Sequence, residues 1–237
     1  MNEVSRDYPR VCVLIPAFNE AVRIGLTIAA LRARPEIGKI VVSDDGSTDA
    51  TAGMARAAGA SLVLTGQNGG KGAALCAAYA AARELGDVFL LLDADLGASA
   101  GEAVKLLPSL WQNQADMTIG LLPPDSAFAA TGQSGGQGYV VRLARRGIER
   151  RTQQTFSQPL SGQRAVRRSV LDALGGTFAP GFGVEVDLTI RALQAGFRVA
   201  EVQTEFRHNV TGGDWAGLTH RARQFRDVAR IVFAAKY

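Results

Sequence analysis

The feature that most constrains the fold is an alternation of short apolar segments with helical segments through the first hundred residues. The apolar runs "RVCVLIPAF", "KIVVS", "ASLVLTG" and "DVFLLLDAD" have the length and composition of buried strands. Helical patterns separate them at residues 20–33, in "STDATAGMARAAG" and in "GGKGAALCAAYAAARELG". This order predicts an α/β fold with a mostly parallel central sheet and right-handed crossovers.

Polar motifs follow the strands at the points where they end. The motifs are "PAFNE", "DDGSTD", "NGGKG" and "DADLG", and four successive parts of the chain supply them. In an open parallel sheet, ligands bind beyond the carboxyl ends of the strands. The sequence therefore predicts one site at this edge of the sheet.

The motif "DADLG" places Asp93 and Asp95 directly after the apolar run "VFLLL". A turn or a helix cap explains one such aspartate. Two carboxylates after a buried strand need compensation, because a buried charge is costly unless it is paired or metal-bound. A hard divalent cation, Mg²⁺ or Mn²⁺, accepts one or two carboxylates and leaves its other positions to phosphate and water. We therefore expect a metal site here.

The cluster "DDGSTD" contains Asp44, Asp45 and Asp49 around a tight turn. Ser47 and Thr48 are candidate N-caps of the following helix. One turn does not need three aspartates, and an aspartate at such an edge can accept hydrogen bonds from a ribose or a base. The cluster indicates nucleotide binding as well as a turn.

The stretch "NGGKG" does not match the P-loop pattern, since Thr65 stands where its first glycine belongs. Its glycines still allow a ligand to approach the backbone closely. Lys71 stands at the predicted N-terminus of a helix, an arrangement that suits a diphosphate. A plain glycine-rich turn with a surface lysine is the alternative.

The second half of the chain is less regular. It contains a basic helical stretch, "RLARRGIERR", and a segment, "SGQRAVRRSVLDALGG", that reads as a helix with Ser161 as its cap. Glu185 and Asp187 lie in "GFGVEVDL", where either carboxylate could act as a base or simply favour a helix N-terminus. His208 follows the predicted strand "RVAEVQTEFRH" and is either a metal ligand or a structural histidine.

The net charge of +4 fits an anionic substrate, a membrane surface or a nucleic acid. Nucleic acid is disfavoured, because the basic residues lack interleaved aromatics and no recognition motif is present. No apolar stretch is long enough for a membrane span, and no signal peptide is visible. Two cysteines in apolar surroundings fit a reducing compartment, so we expect a cytoplasmic protein.

Four motifs in order resemble the family 2 glycosyltransferases, which have the GT-A fold: "VLIPAFNEAVRIGLTIAAL", "IVVSDDGSTDAT", "GKGAAL" and "LLLDADLGA". The later stretches "PLSGQRAVRRSVLDAL" and "GFGVEVDLTIRA" are similar to the glucosyl-3-phosphoglycerate synthases and to polyprenyl-phosphate glycosyltransferases. The resemblance implies one GT-A domain over residues 1–237. Its nucleotide-binding half would span about 9–100, and its acceptor-binding half about 101–237.

The resemblance also implies roles for single residues. Asp93 would hold the sugar or ribose, Lys71 would contact the diphosphate, and Asp95 would bind the metal and serve catalysis, with His208 as a second ligand. Glu185 would face the transferred sugar or the acceptor, and Glu185 or Asp187 would be the catalytic base of an inverting enzyme. The nucleotide pocket would be lined by Pro16, Ala17, Asn19, Glu20 and Asp45, and Gly162 and Gln163 would lie near the acceptor.

The implied activity is metal-dependent transfer of a hexose from a nucleoside diphosphate sugar, with UDP-glucose favoured. A nucleotidyltransferase and a non-catalytic nucleotide-sugar-binding module are the alternatives. A small phosphorylated acceptor would suit Arg164, Arg167 and Arg168. A polyprenyl-phosphate acceptor would suit the basic amphipathic helix predicted from Leu218, which either lies on the inner face of the membrane or packs on the domain. A homodimer, and inversion against retention, stay open.

Overall fold

In the computed structural model, residues 9–123, 137–207 and 226–233 are described. Their seven strands form one sheet in the order β3-β2-β1-β4-β6-β5-β7, in which only β6 runs antiparallel to its neighbours. The predicted α/β class with a mostly parallel sheet is confirmed. The strands are β1 Val11–Ala17, β2 Ile37–Asp44, β3 Leu62–Thr65, β4 Val88–Leu91, β5 Met117–Leu121, β6 Arg164–Arg167 and β7 Val199–Gln203.

Helices cover both faces of the sheet. One face packs against α1 and a 3₁₀ segment, and the other packs against α3, α6 and α7. The central strands are apolar at consecutive positions because both of their faces are buried. The helices are α1 Ile24–Arg32, α2 Thr51–Ala57, α3 Lys71–Ala82, α4 Pro108–Trp111, α5 Gln137–Thr152, α6 Arg168–Ala173, α7 Val184–Gln194 and α8 226–233, and the 3₁₀ segment spans Gly97–Leu106.

Strand β6 was not predicted from the sequence, where its residues read as the start of a helix. It pairs with β4 on one side and with β5 on the other, so the backbone N–H and C=O groups of β6 have hydrogen-bond partners in both neighbouring strands. Ser161 does not cap a helix, because its hydroxyl donates to the carbonyl of Gly120 at 2.6 Å. The antiparallel direction of β6 has a consequence for the site. It places Arg164, the first residue of β6, beside Leu91, the last residue of β4.

Helix α8 is the described part of the predicted C-terminal helix, and its apolar side packs on the protein. Val228 is fully buried in a cluster with residues of α5 and α7. Arg151 of α5 donates to the carbonyl of Ile231 at 2.9 Å. Of the two alternatives for this helix, packing on the domain therefore applies to residues 226–233. No helix in the described ranges is long and apolar enough to span a bilayer.

Candidate active site

The loops after β1 and β2 are tied together at the carboxyl edge of the sheet. Asn19, whose φ of 56° is positive, donates from its backbone to Ser47 Oγ at 2.9 Å. Its side-chain Oδ1 accepts from the backbone of Thr48 at 2.9 Å. Ser47 and Thr48 were wrongly predicted as helix caps: α2 begins only at Thr51, and their side chains bond to Asn19 instead.

The end of β1 brings the first predicted pocket residues against the second motif. Pro16 and Ala17 pair with Ser43 and Asp44 in the parallel β1–β2 ladder, and the backbone of Asp45 donates to the carbonyl of Ala17 at 2.8 Å. These residues therefore form one wall at the sheet edge, as the shared edge of parallel strands requires. Their contact with a nucleotide stays a prediction.

Asp45 fastens the glycine-rich loop in front of α3. It is buried, and its two oxygens accept from the backbones of Gly69 at 2.8 Å and Gly70 at 2.7 Å. Gly70 has a φ of 85°, a conformation that favours glycine. The carboxylate thus holds the backbone that leads directly into Lys71.

Lys71 lies between two carboxylates. Its Nζ is 2.7 Å from Asp93 Oδ1 and 2.7 Å from Glu185 Oε1. Burial lowers the pKa of Lys71, but the charges and hydrogen bonds of Asp93 and Glu185 outweigh it and leave the pKa above its ordinary value. The amine therefore stays protonated. The structure unites these three predicted residues in one cluster of charges.

The turn before β6 closes over this cluster. Gln163 Nε2 donates to Asp93 Oδ2 at 2.7 Å, and the backbone of Asp93 donates to Gln163 Oε1 at 3.1 Å. A Cβ on Gly162 would lie 2.8 Å from Lys71 Nζ and 2.9 Å from Asp93 Oδ2, so a side chain there would displace the Lys71 amine or the Asp93 carboxylate. Both residues were predicted near the acceptor, and both lie against Asp93.

Asp95 and Glu20 form the acidic part of the same edge. Burial raises the pKa of Glu20, the ion pair with Arg23 at 2.9 Å opposes this, and the charges of Asp95 and Asp49 raise it further. Two neighbouring carboxylates supply the oxygen ligands that a hard cation such as Mg²⁺ prefers, with phosphate and water completing its shell. These residues fit a divalent cation. The described residues contain no group of three or more metal-ligating side chains, and His208 lies outside the described ranges.

Thr27, which was not predicted from the sequence as a site residue, fixes the position of the turn that carries Asp95. Thr27 in α1 is fully buried, donates to the carbonyl of Ala94 at 2.8 Å and accepts from the backbone of Gly97 at 2.9 Å. The signal was present in the sequence. Thr27 is the polar member of an otherwise apolar helix face with Ile24 and Ile28.

Glu185 and Asp187 point to different places. A separation of two residues turns a helix by about 200°, so Glu185 reaches Lys71 while Asp187 pairs with Arg191 at 3.2 Å. Burial raises the pKa of Asp187, and Arg191 opposes this shift. Asp187 faces a separate cavity of about 410 Å³, lined also by Thr177, Phe178, Ala179, Pro180, Arg191 and Ile231.

None of the three arginines expected to suit an acceptor is placed to contact one, because Arg164 is buried beside the site and Arg167 and Arg168 lie at the opposite edge of the sheet. Arg164 is fully buried, and its guanidinium donates to Thr189 Oγ1 at 2.8 Å and to backbone carbonyls of the preceding turn. Arg167 and Arg168 pair with Asp116 and Asp87, which precede β5 and β4. Because β6 is antiparallel, its last residues reach the opposite edge of the sheet. This expectation was wrong.

Comparison with known proteins gives a family match. The model of the glycosyl transferase family 2 matches residues 12–175. Among curated proteins, the glycosyltransferase AglJ of Haloferax volcanii is 33% identical over 210 residues, which cover 86% of this chain and 65% of that protein. Glucosyl-3-phosphoglycerate synthase of Mycobacterium tuberculosis is 31% identical over 208 residues, with 76% and 60% covered. Polyprenol monophosphomannose synthase of Mycolicibacterium smegmatis is 31% identical over 227 residues, with 87% and 81% covered. The chain therefore spans less than two thirds of the length of the first two relatives.

Solved structures agree with this result. The M. tuberculosis glucosyl-3-phosphoglycerate synthase in complex with phosphoglyceric acid superposes with a TM-score of 0.78 at 26% identity, covering 95% of this chain and 79% of that one. The same synthase with Mn²⁺, UDP-glucose and phosphoglyceric acid gives a TM-score of 0.75 at 25% identity, covering 96% and 81%. The expected GT-A fold is confirmed.

Proposed function

The chain belongs to glycosyl transferase family 2, and we propose that it transfers a hexose from a nucleoside diphosphate sugar, UDP-glucose being favoured, to a phosphorylated acceptor. The observation that carries this proposal is the cluster of Lys71, Asp93 and Glu185 beside the acidic pair of Glu20 and Asp95. The mycobacterial synthase, whose structure holds Mn²⁺ and UDP-glucose, supports the donor class.

The residues of the site divide the work of such a transfer. The leaving group is a nucleoside diphosphate, and a divalent cation on Asp95, with Glu20 beside it and His208 as the further predicted ligand, would supply charge neutralisation there. Lys71 adds a permanent positive charge at the start of α3, where the backbone also favours anions. Asp93 would orient a hydroxyl of the donor. The wall that receives the base and ribose would be formed by Pro16, Ala17, Asn19, Glu20 and Asp45.

Glu185 is the better candidate than Asp187 to face the acceptor or the transferred sugar. It belongs to the same charge cluster as Asp93, whereas Asp187 is committed to Arg191 and a different cavity. Held by Lys71, the Glu185 carboxylate can accept a hydrogen bond or a proton from an acceptor hydroxyl. Asp187 is a structural residue in this proposal.

The test uses a panel of nucleoside diphosphate sugars with Mg²⁺ or Mn²⁺ and mass spectrometry of the products. We expect metal-dependent transfer by the intact protein and loss of transfer in Asp95→Asn with the fold retained by circular dichroism. Asp87→Asn is the matched control, since its carboxylate pairs with Arg10 at the opposite edge of the sheet. Tight donor binding without hydrolysis or transfer would instead identify a non-catalytic sugar-nucleotide module. Release of pyrophosphate from a nucleoside triphosphate and a sugar phosphate would identify a nucleotidyltransferase.

The acceptor that we propose is a phosphate monoester, the chemistry shared by the acceptors of the glucosyl-3-phosphoglycerate synthase and the polyprenol monophosphomannose synthase. A lipid-linked acceptor is favoured by the exposed basic residues of α5. Arg142, Arg146 and Arg150 are spaced four residues apart on one face of this helix, and α8, which packs on α5, carries the exposed Arg230 and Phe233. An acceptor assay with 3-phosphoglycerate and with polyprenyl phosphate in vesicles separates the two. Sedimentation with anionic but not neutral vesicles, lost in R142E/R146E/R150E, would support the lipid and peripheral membrane contact.

A further inference from the structure

Gln163 is a buried polar residue in the site whose contacts do not fit the role predicted for it. Its side chain is 0% exposed, and both ends of its amide bond to Asp93. Because the side chain is fully buried, an acceptor could reach this amide only if the surrounding groups moved. The backbone carbonyl of Gln163 also accepts from Gly120 in β5 at 2.8 Å, so the residue is fixed to the sheet.

The pattern of contacts fixes which way the amide of Gln163 faces. The backbone N–H of Asp93 can only donate, so the atom opposite it must be the carbonyl oxygen of the amide. The NH₂ group then faces Oδ2 of Asp93 at 2.7 Å. One amide thus holds both the main chain and the carboxylate of the same residue, which fixes the rotation of the Asp93 side chain.

The orientation of the Asp93 carboxylate also determines the contacts of Lys71 and Glu185. With Oδ2 of Asp93 bound by Gln163, Oδ1 is directed to Lys71 Nζ at 2.7 Å, and Lys71 in turn holds Glu185 at 2.7 Å. Four residues from four separate segments of the chain therefore form one series of hydrogen bonds. Charge-assisted bonds of this length are sensitive to the orientation of the carboxylate.

We propose that Gln163 is a positioning residue that sets the orientation of the Asp93 carboxylate and, through it, the place of the Lys71 amine. Its effect on catalysis rests on the proposed transferase function, whereas its effect on the conformation of Asp93 does not. Gln163 would then act on the donor side of the reaction rather than through contact with the acceptor.

The kinetic test compares Gln163→Leu with the intact protein. Misplacement of a group that positions the substrate can lower the rate by about 100-fold. We expect this fall in kcat for transfer and an equal fall in donor hydrolysis without acceptor, with the acceptor KM unchanged. A rise in the acceptor KM with normal donor hydrolysis would overturn the proposal. Gln163→Glu, which keeps the length but sets an oxygen against Asp93 Oδ2, should lose activity as well.

Gln158→Leu is the matched control. Gln158 also makes a two-point amide contact, in its case with the backbone of Leu122, and does not touch Asp93. Gln158 is half-buried, so normal donor hydrolysis in this variant would show that the loss in Gln163→Leu is not a general effect of removing an amide with two hydrogen bonds. An equal loss in both variants would overturn the proposal.

A crystal structure of Gln163→Leu tests the inference independently of activity. We expect the Asp93 carboxylate to rotate and to leave Lys71 Nζ. An unchanged Asp93 conformation overturns the positioning role, even in a protein that transfers sugar. If the intact protein transfers no sugar from any donor, the proposed function fails, and this structure still decides the role of Gln163.

Discussion

The Nζ atom of Lys71 lies 2.7 Å from Oε1 of Glu185, although 114 positions separate the two residues in the chain. This contact joins α3, which follows the glycine-rich loop, to α7, which lies between β6 and β7 in the chain. It connects the predicted nucleotide-binding half with the predicted acceptor-binding half. In the proposed transfer, this amine would lie between the diphosphate of the donor and the acceptor.

Removal of the Lys71 amine should leave two facing carboxylates without their shared cation. The three side chains keep 30%, 27% and 10% exposure, between surface and buried pairs. We expect Lys71→Met to lower the free energy of unfolding by about 1 to 3 kcal/mol. Urea denaturation measures this loss. In K71M/E185Q part of it should return, because one of the repelling charges is gone. Strict additivity of the two changes would contradict the coupling.

Gly162 should tolerate no side chain. A Cβ there would press on Lys71 Nζ and Asp93 Oδ2, and a displacement of about 1 Å in a catalytic group can cost roughly 100-fold in rate. We expect Gly162→Ala to lose most of its transfer activity. Gly53→Ala is the control, since nothing lies within 4 Å of its added Cβ in α2. It should gain about 0.5 to 1 kcal/mol of stability with normal activity. Full activity of Gly162→Ala would refute the close approach.

Asp45 should control the mobility of the glycine-rich loop. Hydrogen bonds to a charged group contribute roughly 1.5 kcal/mol or more, so Asp45→Ala should speed amide exchange at Gly69 and Gly70 by at least about tenfold. Hydrogen exchange read by NMR checks this. Gly66, whose amide donates to the carbonyl of Asp44 at 2.9 Å, serves as the internal control. Donor affinity should fall in the same variant. Unchanged protection at Gly69 and Gly70 would show that the carboxylate does not hold the loop.

Substitutions of Glu185 and of Asp187 should have different effects on sugar transfer. We expect Glu185→Gln to abolish transfer, because it removes the carboxylate that faces Lys71, and Asp187→Asn to keep it. Initial rates with the identified donor measure both variants at equal folded concentration. Loss of transfer in Asp187→Asn alone would reverse the assignment.

Asp187→Asn should also change how stability depends on pH. Burial raises the pKa of Asp187, so the folded protein binds a proton there more tightly than the unfolded chain does. The ionised carboxyl therefore costs stability at neutral pH, and this cost disappears as the pH falls through the raised pKa. Asp187→Asn should melt at a higher temperature than the intact protein near pH 7, and the difference should shrink in acid. A lower melting temperature at neutral pH would mean that the pair with Arg191 outweighs burial.

The sequence was sufficient to predict those features of the fold and the site that depend on the order of residues within one segment. Strands β1 to β4 and the polar residues at their ends were predicted, because apolar runs, glycines and aspartates determine where a parallel strand stops. Lys71, Asp93 and Asp95 could be assigned to one edge on this basis alone, since the carboxyl ends of parallel strands lie together. Their individual roles toward a donor and a metal stay predictions.

In the second half of the chain, the local sequence pattern did not predict strand β6 or the contacts that follow from it. The segment at 161–176 has helical spacing, yet residues 164–167 form β6, because this strand is hydrogen-bonded to both β4 and β5. That choice brought Gln163 to Asp93 and sent Arg167 and Arg168 to the far edge. It also buried Arg164, whose pKa burial lowers to about 10. No local pattern distinguishes these outcomes.

By itself, the sequence determined the sheet, its functional edge and the chemistry collected there, because these depend on residue type and on spacing within single segments. Only the tertiary structure decided which of Glu185 and Asp187 joins Lys71, and that Gln163 holds Asp93. These contacts join segments 70 to 114 positions apart. The pairing of β6 and the rotation of α7 set them, and both depend on burial against the whole fold rather than on neighbours in the chain.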